Sequence, residues 1–185
     1  MREAYYLAGP TATGKTAVAQ WLAERTGYAL LSVDSMAVYR HMDIGTAKPW
    51  GREREGVCYF GLDLVDPDEE FSVGDYIDYV RGIEYKGPVI AVGGSGLYIK
   101  ALTEGMAVVP ETGENSRNRW SSFFEAHGIV ALVEELRRRS PLLLSQVSDP
   151  GNPRRVIRAL ELHDAGVTEL PDGWCGKNNA MRLGI

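Results

Sequence analysis

A chain of 185 residues suits one domain with a small insertion, and its 44% hydrophobic content is enough for a core. No apolar run reaches the roughly eighteen residues of a membrane span. The net charge of −5 excludes a surface coated in basic residues, and the two cysteines, Cys58 and Cys175, make neither a disulfide framework nor a zinc site. The N-terminal MREAYYLAGP has an acid and a glycine where a secretory signal needs unbroken apolar residues. A reducing cytoplasm is the expected compartment. The charge is uneven. Residues 1–114 carry ten basic and seventeen acidic residues, a balance of −7, and residues 115–185 carry ten and eight, a balance of +2. Contact with a polyanion is therefore expected in the later part, although Arg137–Arg139 alone read as a solvated helix end.

EAYYLAG is a short apolar run stopped by glycine, as a buried strand requires. KTAVAQWLAERTG follows as a helix, with Ala17, Val18, Trp21 and Leu22 at helical spacing and Gly27 as its stop. YALLSVD reads as a second strand ending at Asp34. A third is expected near Tyr59–Leu64. Ser72 and Asp75 form a Ser-x-x-Asp helix start before SVGDYIDYVRGIEY. GPVIAVGGSG is a further strand closed by glycines, and LYIKALTEG opens a helix. Alternating strands and helices imply a mainly parallel sheet covered on both faces. From about Asn115 the alternation ends. RNRWSSFFEAH, IVALVEELRRR and PLLLSQV read as consecutive helices. NPRRVIRALELHDAG is another, with Pro153 in its first turn and Gly166 at its end. VTELPDGWCGKNNAMRLGI has little periodicity and is expected to be extended or loosely held.

GPTATGKT matches G-x-x-x-x-G-K-[ST] in full at Gly9, Gly14, Lys15 and Thr16, between a strand and a helix. The glycines let successive backbone N–H groups point into one concavity, and the helix N-terminus adds partial positive charge. Lys15 brings a full charge to phosphate oxygens, and the Thr16 hydroxyl suits Mg²⁺. The motif marks a phosphate site without naming the phosphate's owner. The expected fold class is α/β, a P-loop NTPase-like three-layer fold with a mainly parallel sheet and a small helical insertion. Its expected parts are a core over 1–114, a helical insertion over 115–150, and a return to the core with a tail over 151–185, compact as a single unit. Asp34 ends the second strand, where open parallel sheets place their ligand crevice. Its carboxylate can ligate metal, bind an amine, act as a general base or cap the next segment.

GPTATGKT, SVDSMAVYRHMDIGTAKP, VGGSGLYIKAL and DPGNPRRVIRALEL stand in the order and spacing of a known family. Over roughly Ala4–Gly166 the chain resembles the tRNA dimethylallyltransferases, also called tRNA isopentenyltransferases. The resemblance implies transfer of a dimethylallyl group from dimethylallyl diphosphate to the N6 amino group of an adenine. In the family this is adenine 37 of tRNA, flipped from its stack. It implies a diphosphate held by Gly9, Pro10, Thr11, Ala12, Thr13, Gly14, Lys15, Thr16 and Ser95, with Mg²⁺ on Thr16. It makes Asp34 the general base, with Lys15 and Thr16 assisting the leaving group. It assigns RNA contact to Asp34, Ser35, Met36, Ala37, Arg117, Arg154, Arg155, Val156, Ile157 and Arg158. The implied partners are dimethylallyl diphosphate and tRNA, with no membrane. The sequence does not predict an oligomeric state.

The chain also departs from the family pattern. Ser95 replaces the family's usual threonine, and Tyr59 lies near the place of a family histidine. A later arginine for the diphosphate, much of the RNA channel and a basic block have no counterpart after Gly166. A short or truncated relative is expected: one acting on tRNA or a smaller adenine acceptor, one that has lost transfer activity, or one whose channel another chain completes. Two other readings stand beside it. One is a small-molecule or nucleotide kinase, and the other is a non-catalytic diphosphate-binding relative without the RNA channel.

Overall fold

Four five-residue or shorter apolar strands and one C-terminal strand build a single parallel sheet. The computed structural model describes residues 4–49, 51–107, 109–110, 112–170 and 182–184. The strands are β1 (Ala4–Ala8), β2 (Ala29–Val33), β3 (Tyr59–Phe60), β4 (Val89–Gly93) and β5 (Arg182–Gly184), in the order β3-β2-β4-β1-β5. Every pairing is parallel, and β2 and β4 run in register from Ala29–Val89 to Val33–Gly93. Such strands must be covered on both faces, and adjacent residues of β2 show how. Leu30 packs with Ala19 and Ala23 of α1 (Lys15–Thr26). Leu31 packs on the other face with Tyr76 of α2 (Val73–Arg81) and Tyr98 of α3 (Gly96–Glu104).

The helix starts follow local chemistry. At α2 the Ser72 side chain accepts from the Asp75 amide while the Asp75 side chain accepts from the Ser72 amide, the capping box expected from the sequence. Gly14 and Gly27 bound α1 at φ 81° and 71°, left-handed values that glycine adopts without strain. α1 forms as expected, and alanines make its buried face. Ala19 and Ala23 face the sheet, whereas Val18 and Trp21 are exposed at 50% and 52%. Small alanines let the helix carrying the loop sit close against β2 and β4. The third strand is shorter than expected. It ends at Phe60 because Gly61 turns at φ 78°, where a Cβ would stand 2.6 Å from the Ser32 carbonyl oxygen.

Contacts divide the chain into two units, Met1–Met106 with Gly176–Ile185, and Ala107–Cys175. This corrects the single compact unit and the boundaries at 114 and 150. In the second unit α4 (Glu114–Arg139) is broken at Gly128, whose φ of 75° and ψ of 178° are not helical, so the two consecutive helices read from the sequence are its two halves. α5 (Pro141–Gln146) and α6 (Pro153–Asp164) complete the unit. Of the stretch 151–185 expected to return to the core, α6 packs on α4 in the second unit, whereas β5 pairs with β1 in the first. The buried Val156, Ala159 and Leu160 of α6 need an apolar partner, which Trp120, Leu132 and Leu136 supply. The expectation for the final segment lies outside the described residues over 171–181, and its residues 182–184 form β5.

Gly93 provides a test of the central strand contact. A Cβ there would lie 2.1 Å from the Val33 carbonyl oxygen, whereas one at Gly96 meets nothing. In urea denaturation Gly93→Ala is expected to destabilise at the upper end of ~1–3 kcal/mol. Gly96→Ala should be neutral or stabilising by up to ~1 kcal/mol.

Candidate active site

The carboxyl ends of β1, β2 and β4 converge. A Cβ on Gly94 would reach 3.0 Å from the Gly9 carbonyl oxygen, and Ser95 N–H donates to the Val33 carbonyl at 3.2 Å. Bare glycines at 93 and 94 thus bring the phosphate loop, the Asp34 segment and the β4 turn together. A cavity of about 680 Å³ opens there in the first unit, lined among others by Thr11, Ala12, Gly14, Lys15, Thr16, Asp34 and Ala37. Within the loop, the Lys15 ammonium folds back and donates to the Pro10 carbonyl and, at 3.4 Å, to Thr13 Oγ1. Thr13 Oγ1 in turn donates to the Pro10 carbonyl at 2.9 Å. Gly9, Pro10 and Thr13 shape the loop from behind rather than lining the cavity.

Asp34 Oδ1 accepts from the Met36 amide at 2.8 Å, which turns the chain directly after β2. Ser95, expected on the diphosphate, has its hydroxyl engaged elsewhere. Its Oγ accepts from the Ser35 amide at 2.9 Å and donates to Ser35 Oγ at 3.3 Å. This ties the β4 turn to the Asp34 segment. Met36 is 45% exposed, and neither it nor Ser35 lines the cavity.

The sequence reading missed part of the wall. Gln20, Trp21 and Glu24 line the cavity from α1, and Lys48, Arg52, Glu53 and Tyr59 line it from the segment after Asp34. Thr16, Gln20 and Glu24 recur every four residues, so the signal was present on one helical stripe. Tyr59 Oη donates to Gln20 Oε1 at 2.6 Å, and Gln20 Nε2 donates to Glu24 Oε1 at 2.8 Å. Burial pushes the Tyr59 phenol up to about 12, so it remains a protonated donor. Trp21 stacks under the Arg25 guanidinium at 4.0 Å. Ala12 and Ala47 on this wall are left-handed, at φ 65° and 50°.

The remaining expected RNA residues lie in the second unit. Val156 is fully buried in the core, so its side chain is not an RNA contact, which corrects that assignment. Ile157 packs against the same core. Arg154 is exposed, and Arg155 donates to Ser148 Oγ. Arg117 and Arg158 pair with the two oxygens of the buried Glu161 at 3.2 and 3.1 Å. Arg137 and Arg138 pair with Glu134 and Glu135 on their own helix, as a solvated helix end would. Asp164 is a hub that accepts from Ser116 Oγ at 2.7 Å, Arg119 Nη2 at 2.5 Å and Trp120 Nε1 at 2.7 Å. Burial alone would raise its carboxyl, but these hydrogen bonds and Arg119 and Arg139 hold it below the ordinary value.

A glycine loop between β1 and the first helix of a parallel sheet, with an acid at the end of β2 two places along the sheet, defines a P-loop α/β protein. Comparison with known proteins narrows this class. The family described as IPP transferase matches residues 37–173, and that described as isopentenyl transferase matches residues 2–63. The chain belongs to the IPP transferase family.

It is 44% identical over 166 residues to the tRNA dimethylallyltransferase of Syntrophobacter fumaroxidans, covering 86% of this chain and 48% of that one. The tRNA dimethylallyltransferase of Geobacter metallireducens is 40% identical over 83% of this chain and 51% of its own. The chain therefore spans about half the length of these relatives. The crystal structure of the full-length tRNA isopentenylpyrophosphate transferase from Bacillus halodurans is similar at 36% identity, with a TM-score of 0.53 over 89% of this chain and 56% of that one. A eukaryotic dimethylallyltransferase, described as acting on tRNA, shares the fold with a TM-score of 0.71 at 24% identity, over 91% of this chain and 43% of its own.

The Asp164 hub gives a pH test. A carboxyl held below its unfolded value stabilises the fold above the ordinary carboxylate range. That contribution is lost as pH falls through the lowered value. At pH 7 Asp164→Asn is expected to cost about 1.5–3 kcal/mol in urea unfolding followed by circular dichroism. The gap to wild type should narrow as the buffer is taken below the ordinary range.

Proposed function

We propose that this chain carries the diphosphate-binding and proton-accepting half of a tRNA dimethylallyltransferase. The observation supporting this is the shared cavity, with Lys15 and Thr16 of the loop on one side and Asp34 on another. In the proposed reaction the adenine N6 attacks the allylic carbon bonded to oxygen. A C–N bond forms as that C–O bond breaks. Pyrophosphate leaves with the electron pair, and the N6 proton passes to Asp34. Backbone N–H groups of the loop, the α1 N-terminus and Lys15 stabilise the charge growing on the departing diphosphate.

Mg²⁺ is the proposed cofactor. It takes few protein ligands and keeps waters and phosphate oxygens, so a single hydroxyl at Thr16 beside a diphosphate fits it. When bound, it would neutralise charge on the leaving group. Among the described residues no cluster of three or more His, Cys, Asp or Glu is present, so the ion would depend on the diphosphate for much of its shell. The exposed Arg154 and Arg155 are the proposed contacts to RNA phosphates, which position the RNA without reading its sequence. No helix among the described residues is long and apolar enough to cross a membrane, and the proposed place of work is the cytoplasm.

Labelled dimethylallyl diphosphate with unmodified tRNA, and separately with AMP, tests the reaction. Transfer to tRNA is expected. Folded protein with Mg²⁺ that labels neither acceptor would sink the enzymatic reading. Asp34→Asn is expected to lower kcat by about 100-fold or more, while pyrophosphate still raises Tm. Lys15→Ala should abolish that Tm rise.

A further inference from the structure

Lys48 is the one buried lysine among the described residues, with no exposed side-chain surface although it belongs to the cavity wall. A lysine beside a phosphate loop invites the role of a second phosphate cation. Its geometry excludes that role. An ammonium has three N–H donors. Here they meet three acceptors, the Tyr39 carbonyl at 2.6 Å, Asp63 Oδ1 at 2.8 Å and Asp43 Oδ1 at 2.8 Å.

What Lys48 holds is more telling. Asp63 is pinned from both sides, because its other oxygen takes Arg54 Nη1 at 2.8 Å, and Arg54 Nε donates to the Pro49 carbonyl at 2.8 Å. The Asp63 backbone sits at φ 56°, a left-handed value for a residue with a side chain. From that position its amide donates to the Ala37 carbonyl at 3.2 Å, and the next amide, Leu64, donates to the Val38 carbonyl at 2.6 Å. Ala37 lies three residues beyond Asp34, on the segment whose turn Asp34 itself makes. A continuous set of bonds therefore runs from the Lys48 ammonium through Asp63 to Ala37 and Val38, on the segment that begins at Asp34. None of it passes through the phosphate loop.

We propose that Lys48 is a positioning residue. Its ammonium, clasped by Tyr39, Asp43 and Asp63, fixes the Asp34–Val38 segment for proton transfer and leaves diphosphate binding to the loop. The proposal rests on Asp34 being the base. Lys48→Met, Lys48→Arg and Asp43→Asn are compared with wild type. Asp43 is 40% exposed, and Asp43→Asn removes one of the two charges on Lys48 while keeping an amide oxygen that can accept, so it keeps the test open should Lys48→Met fail to fold. Lys48→Met is expected to lower kcat about 10- to 100-fold, as small misplacements of reacting groups do. KM for dimethylallyl diphosphate and the Tm rise with pyrophosphate should stay within about twofold of wild type. Lys48→Arg should recover part of the loss, and Asp43→Asn should show a smaller one.

Hydrogen exchange supplies a readout apart from activity. The Met36, Asp63 and Leu64 amides should exchange faster in Lys48→Met while Leu30 and Leu31 within β2 do not. Unchanged kcat, an equal loss of diphosphate affinity, or a uniform rise in exchange across the sheet would each overturn the proposal. If wild type itself transfers nothing, the reading of Asp34 fails. The exchange pattern then still decides whether Lys48 fixes that segment.

Discussion

The site depends on how closely two backbones approach. β4 meets β2 at its carboxyl end with no room for a single carbon beyond the backbone at Gly93. Packing at that distance is open only to glycine, and it is what lets one crevice be bounded by three strand ends. Gly94 then lies against the Gly9 carbonyl, and Ser95 bonds to Val33 and Ser35. The loop and the acid proposed to take a proton follow strands that are consecutive in sequence but not neighbours in the sheet. They share a cavity because the strand between them, β4, is stripped of side chains where they meet.

Features governed by local rules were legible in the sequence. The Gly9–Thr16 loop, the capping box at Ser72, the glycine stops and the parallel alternation all follow from a few adjacent residues. Where the reading stopped short, the deciding partner was distant. Trp21 and Val18 sit at helical spacing with Ala17 and Leu22, yet the sheet selects Ala19 and Ala23, because closeness outweighs apolar area beneath the phosphate loop. α6 carries an apolar stripe either way, and only the facing surface of α4 assigns it to the second unit. The family resemblance assigned Ser95 to the diphosphate, and local sequence carried no sign that its hydroxyl also accepts from the Ser35 amide, sixty residues earlier in the chain.

Charge in the second unit is arranged more economically than a count of arginines suggests. Arg117 and Arg158 are matched to a buried carboxylate that would be costly without them. Arg119 belongs to the Asp164 hub, which also holds the Trp120 indole. These cations serve the fold first. Among the described residues, the exposed Arg154 and Arg155 at the start of α6 stand apart from these carboxylate pairs.

The left-handed alanines at 12 and 47 bear on how a ligand is received. Glycine would hold either conformation without strain, and alanine costs about 1–2 kcal/mol there. The surrounding structure therefore holds two points on the cavity wall against their own backbone preference. That strain is carried by the fold itself and is already present before any ligand arrives.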